Sequence, residues 1–111
     1  MSISADTLRG HTDAIILAQL MAGDSYGYEI NKTISRRAGG AYGFKEATLY
    51  TAFKRLEQNG MIASYWGDDG PGARRRYYAI TQAGMAQLAA DRQEWSETKK
   101  VLDALILNEE G

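Results

Sequence analysis

No cysteine occurs in the 111 residues, so disulfides, thiolate zinc sites and cysteine nucleophiles are all excluded. There is one histidine, His11, and no carboxylate cluster stands ready to make a metal or acid–base site with it. His11 is therefore read as structural, and neither a metal, a cofactor nor an enzymatic activity is expected. The single proline, Pro71, leaves long stretches free to be helical. No apolar run approaches the length of a membrane span, so no membrane partner is expected. The opening residues MSISADTLRG lack a positive stretch followed by an apolar block. No secretion signal is expected from them, and a cytoplasmic location is the default expectation.

What is present is ordinary for one soluble globular unit, with 44% hydrophobic and 24% charged residues. The charge is unevenly placed. Residues 1–31 carry one Arg against four acids, residues 32–76 nine Lys/Arg against four, and residues 77–111 three against six. The middle of the chain is thus locally basic although the whole is −1, and a local basic field is what phosphate binding needs.

Within that basic middle, EATLYTAFKRLEQNGMI at 46–62 reads as a helix that stops at glycine and turns into a strand. Leu49, Phe53 and Leu56 make its apolar stripe. Thr48, Thr51, Ala52 and Arg55 are placed on the opposite face, with Lys54 at its edge. Gly60 is where a left-handed C-terminal cap is wanted. Such a helix can rest one side on a core and present the other to a DNA major groove.

The preceding segments supply the companions of that helix. Thr7–Met21 reads as one amphipathic helix with Leu8, Ile15, Ile16 and Leu20 on one face. Ala14, Ala18 and Met21 form a second strip, which suggests a second packing partner. Asp24 or Ser25 is expected to cap a helix over Tyr26–Ala38, ended by Gly39-Gly40. Lys32, Arg36 and Arg37 on its outer side complement the helix dipole or reach phosphates. A short turn then leads into the 46–62 helix, as a helix-turn-helix requires.

After Gly60, MIASYW at 61–66 and ARRRYYAI at 73–80 read as strands around the loop GDDGPG. Three consecutive arginines on a strand must point to both faces, so at least one is exposed. Helix-turn-helix followed by a basic hairpin is the order of a winged helix. Thr81 is expected to cap a last helix running to about Leu107. Gly84 falls in its first turn, where glycine is tolerated. Leu88, Trp95 and Leu102 recur at seven with Met85 and Ile106 alongside, and Arg92 and Lys99 interrupt the seam. A long helix with such a seam calls for a partner, most simply a second copy of the chain.

The fold expected is therefore mainly α with a β-hairpin wing. A winged helix-turn-helix DNA-binding domain would occupy 1–80, its N-terminal helix also contributing to the dimer interface. A dimerisation helix would occupy 81–111. Lys45, Thr48, Thr51, Lys54, Arg55, Arg74 and Arg75 are the expected DNA-binding residues. Thr48, Thr51 and Arg55 would face base edges or the groove walls, and the other cations phosphates. The partners expected are double-stranded DNA with a palindromic operator and a homodimeric second subunit. The alternative is a ligand- or protein-binding module without sequence-specific DNA binding.

SYGYEI at 25–30, EATLYTAFKRLEQNGMI at 46–62, SYWGDDGPGARRRYYAIT at 64–81 and the terminal helix bearing Trp95 resemble the PadR family of transcriptional regulators. Thr51 after Leu49-Tyr50, with SYWGD and Trp95, is similar to the short LmrR-type, multidrug-responsive branch. The resemblance implies a dimeric repressor, in the drug-responsive branch released by a planar aromatic effector at the dimer interface. It implies that Trp95 stacks on this small aromatic effector and that Ala14 and Ala18 line the wall. Drug-binding members carry aromatic and acidic side chains one turn either side of the tryptophan, where this chain has Arg92 and Lys99. Those two cations predict a neutral or anionic effector.

Overall fold

The computed structural model describes residues 5–68 and 74–108. The expected hairpin tip at 69–73, the first four residues and the last three lie outside the described residues. The elements are α1 (Ala5–Leu8), α2 (Thr12–Leu20), β1 (Ser25–Tyr26), α3 (Gly27–Arg37), α4 (Glu46–Gln58), β2 (Ile62–Asp68), β3 (Arg74–Ile80) and α5 (Gln82–Ile106). This is a winged helix with a long C-terminal helix.

The helix expected over Thr7–Met21 is two. Gly10 takes a left-handed φ of +91°, which breaks the chain direction before α2 starts at Thr12. Ile16, Leu17 and Leu20 of α2 are buried. Against them lie Ile30 and Ile34 of α3 and Leu49, Ala52, Phe53 and Leu56 of α4. Ala52 thus belongs to the core, 1% exposed, and not to the polar face on which its spacing had placed it. A methyl group satisfies either face, so the sequence does not distinguish them.

Asp24 and Ser25 do not cap α3. Ser25 and Tyr26 instead pair with Tyr78 and Tyr77 as a short third strand. The N-cap position falls to Tyr26, without a side-chain bond. The sheet order is β1-β3-β2, all antiparallel, with Ile62 opposite Ile80 and Asp68 opposite Arg74. The Asp24 carboxylate accepts a hydrogen bond from the Tyr65 hydroxyl at 2.7 Å, tying the start of β1 to the wing. That bond favours the neutral phenol and raises its pKa above the ordinary value.

Both middle helices end as their glycines predict. At α4, Gly60 has φ +74°; its N–H reaches the Glu57 carbonyl at 3.0 Å, and the Met61 N–H reaches the Leu56 carbonyl at 2.9 Å. At α3, Gly39 and Gly40 repeat the pattern onto Arg36 and Ser35. Two crossed bonds satisfy carbonyls that a helix end leaves open.

The junction of α4, the sheet and α5 is held by Thr81. Its Oγ1 accepts from the Gly84 N–H at 3.1 Å and donates to the Gly60 carbonyl at 2.6 Å. Its own N–H donates to the Met61 carbonyl at 3.0 Å. Gly84 is buried, and a Cβ there would lie 2.1 Å from the Met61 carbonyl oxygen. Glycine at 84 is thus a requirement of close backbone approach, not a tolerated first-turn residue. Beyond Leu88, which is 2% exposed, α5 leaves the core. Leu105 and Ile106 are 72% and 70% exposed.

Gly84→Ala should destabilise the fold by about 2–4 kcal/mol, because the obstacle is backbone and does not move aside. Thr81→Ala should cost less, about 1–2 kcal/mol for the lost cap and bond. Urea unfolding followed by circular dichroism ranks the two; equal midpoints would show that the junction tolerates a methyl group.

Candidate nucleic-acid interface and ligand cavity

Because Leu49, Ala52, Phe53 and Leu56 face inward, the outward direction of α4 is fixed by the 3.6-residue period. Its centre holds Ala47, Thr51, Lys54 and Gln58, all exposed. Thr48 and Arg55 are exposed on the flank toward α2, and Tyr50 on the flank toward α3. Lys45 is exposed at the N-cap. The expected residues of α4 are therefore on the surface, but they do not share one direction.

Arg55 is expected at base edges or the groove walls, and its guanidinium is engaged by Asp13 of α2. Nε donates to Oδ2 at 3.3 Å and Nη2 donates to Oδ1 in a closer contact. This bonding raises the guanidinium pKa above its already high ordinary value. The two residues are 42 apart in the chain, and no periodicity links them.

The wing places its arginines on two faces, as strand alternation demands. Arg74 lies over the Trp66 ring at 5.6 Å, and Arg76 beside it bonds Glu57 of α4 at 3.2 Å. The Glu57 carboxylate also accepts from the Ser64 hydroxyl, so β2 and β3 are both tied to α4. Arg75 points the other way, over the Tyr26 ring at 4.8 Å. Tyr26 meets Tyr77 edge-on at 5.4 Å, and Tyr77 stacks on Tyr65 at 5.6 Å. Arg74 and Arg75 are thus exposed on opposite faces of the wing.

A cleft between α3 and α4 adds residues to this surface. Tyr28, Lys32 and Arg36 line it with Glu46 and Tyr50. Lys32 and Arg36 are exposed, and Tyr28 is 71% exposed. Arg37, the third cation of α3, is exposed but does not line the cleft.

A separate cavity of about 620 Å³ opens between α2 and α5. Of the residues expected at a ligand site, Ala14, Ala18, Arg92 and Trp95 line it. Lys99 does not; its ammonium bonds Asp103 one turn further along α5, at 3.2 Å. Three acids that the sequence did not single out do line it: Asp13, Asp91 and Glu94. The wall of this cavity thus carries three acids beside Arg92. Asp91 sits four residues before Trp95, a helical spacing that could have found it, whereas Glu94 is its direct neighbour and no same-face spacing marks it.

His11 also lines the cavity, its ring edge-on to Trp95 at 5.3 Å. Trp95 remains half exposed. Gln19 donates to the Ile15 carbonyl at 3.2 Å, while its own Oε1 is buried and accepts nothing among the described residues. Among the described residues no group of His, Asp and Glu is arranged to hold a metal, and no helix is long and apolar enough to cross a membrane.

Residues 16–90 match the model of the transcriptional regulator PadR-like family. The chain is similar in structure to a transcriptional regulator from Clostridium thermocellum, with 50% identity and a TM-score of 0.84 over 91% of this chain and 95% of that one. It is similar also to a PadR family transcription regulator from Clostridium difficile R20291, with 38% identity and a TM-score of 0.79 over 87% and 99% of the two chains. Bacillus subtilis PadR in complex with operator DNA shares the fold at 23% identity and a TM-score of 0.67, over 74% of this chain and 45% of that one. With its exposed α4, its wing and its long final helix, the chain belongs to the PadR-like family of transcriptional regulators.

Proposed function

We propose that the protein is a homodimeric repressor that grips a palindromic operator through α4 and the wing. A small aromatic molecule in the α2–α5 cavity would release it, and the genes controlled would be those of drug efflux or detoxification, as in the LmrR-type branch. The observation that carries the DNA reading is the outward face of α4. Thr51, Lys54 and Gln58 stand opposite a fully buried stripe, so the core holds donors and a cation outward on a rigid element. Thr51 and Gln58 can bond base edges, while Lys45, Lys54, Arg74 and Arg75 neutralise phosphates. Thr48 and Arg55, on the α2 flank, meet the groove wall. The Bacillus subtilis relative is seen with operator DNA, which supports the same use of this fold here.

Dimerisation is supported by α5. Val101, Leu102, Leu105 and Ile106 are all exposed, a length of apolar helix that water alone would leave uncovered. The effector is supported by the cavity, where Trp95 and His11 offer aromatic faces. The three acids of the wall favour an aromatic cation.

Selection from a random duplex pool at near-physiological salt tests the central claim. A recovered palindrome with half-sites about one helical turn apart, ~34–36 Å, is the expected result. Lack of enrichment would leave a ligand- or protein-binding module as the better description. On the selected duplex, Thr51→Ala should lose about 1 kcal/mol of discrimination at one position in each half-site. Lys54→Ala should weaken binding to all sequences alike and reduce the salt slope by about one per subunit. Leu105→Glu should convert a dimer into a monomer in sedimentation equilibrium, with the fold retained by circular dichroism.

A further inference from the structure

Asp13 belongs to two places at once. Its side chain lines the α2–α5 cavity, two residues from His11 and one from Ala14. The same carboxylate holds the Arg55 guanidinium through both of its oxygens. Arg55 does not line the cavity; it sits on the flank of α4, beside the outward face. One side chain therefore stands between the cavity and the helix read above as the DNA-contacting one.

The pair is open to exchange. The Asp13 and Arg55 side chains are 39% and 46% exposed, and an ion pair so wetted is weak. Arginine carries its charge at every accessible pH, so the pair is not opened by losing a proton from Arg55. A competing cation is what opens it. The route by which one arrives is lined by the Trp95 and His11 rings, with Asp91 and Glu94 on α5. Arg92 on the same wall repels a cation and leaves the Asp13 side as the better seat for its charge.

We propose that Asp13 is a shared carboxylate, for which a cationic aromatic in the cavity competes with Arg55, so that filling the cavity frees a guanidinium on α4. This rests on the reading of the cavity as a ligand site and names the contact through which its occupancy reaches the DNA-binding helix. Coupling of this kind is reciprocal: a phosphate that holds Arg55 also leaves Asp13 free for the ligand, so this contact by itself favours joint binding, and release of the operator rests on a change in the separation of the two α4 helices.

The test uses two probes of nearly equal shape, 1-naphthylmethylammonium and the neutral 1-naphthalenemethanol, added to the full chain. Two signals are followed in ¹H–¹⁵N spectra, the Trp95 indole N–H and the Arg55 Nε–H. Both probes should shift the Trp95 signal, and only the ammonium should shift that of Arg55. The ammonium should bind about tenfold more tightly than the alcohol, the worth of one charge-assisted hydrogen bond. Asp13→Asn should bring that ratio toward one. Arg55→Gln should raise affinity for the ammonium, because the internal competitor is gone, and it provides a second variant should Asp13→Asn fail to fold. A Trp95 shift with the ammonium while Arg55 stays fixed would overturn the sharing and leave the cavity intact. No Trp95 shift with either probe would remove the ligand cavity itself, and the sharing with it.

Discussion

The arrangement depends on how closely the first turn of α5 approaches the end of α4. Met61 receives the Thr81 N–H on its carbonyl and has Gly84 packed against the same oxygen. Thr81 meanwhile reaches back to the Gly60 carbonyl. Gly60 can end α4 sharply because it takes a positive φ, and Gly84 can lie so close because it has no Cβ. From this junction α4 runs one way, with its polar face outward, and α5 runs the other way out of the core. Loosening it would change the angle between the two helices.

The core that this junction closes is small and mostly aliphatic, with Phe53 stacked on Tyr78 at 4.1 Å joining α4 to the sheet. Its burial has a consequence for specificity. An inner stripe of four residues leaves α4 no freedom to rotate, because turning Thr51 or Lys54 inward would bury a polar group without a partner. The Glu57 carboxylate, bonded to Ser64 and Arg76, fixes the wing relative to the same helix.

Two kinds of surface are left outside the core. The face of α4, the α3 cleft and the wing are polar and cationic, suited to phosphate. The α2–α5 side is apolar and aromatic with acids at its wall, suited to an aromatic cation and to a second subunit. They meet at Asp13 and Arg55, where a residue of one surface is bonded to a residue of the other. That contact explains why Arg55 does not stand free on the surface of α4.

Sequence alone determined the elements whose signals are local. The glycine-ended helices α3 and α4, the hairpin, the Thr81 cap and the long α5 all follow from spacings within a few residues, because helix period, strand alternation and capping are short-range physics. It also located the basic middle and Trp95. Tertiary structure decided what depends on partners far along the chain. The third strand exists because Ser25-Tyr26 finds Tyr77-Tyr78. Ala52 is core because α4 rotates to bury its larger neighbours. Gly84 is required by the Met61 carbonyl, Lys99 turns to Asp103 and away from the cavity, and Arg55 is drawn to Asp13. A small residue has no facial preference of its own, and a long charged one goes to whichever opposite charge the fold brings near; neither is written in the local pattern.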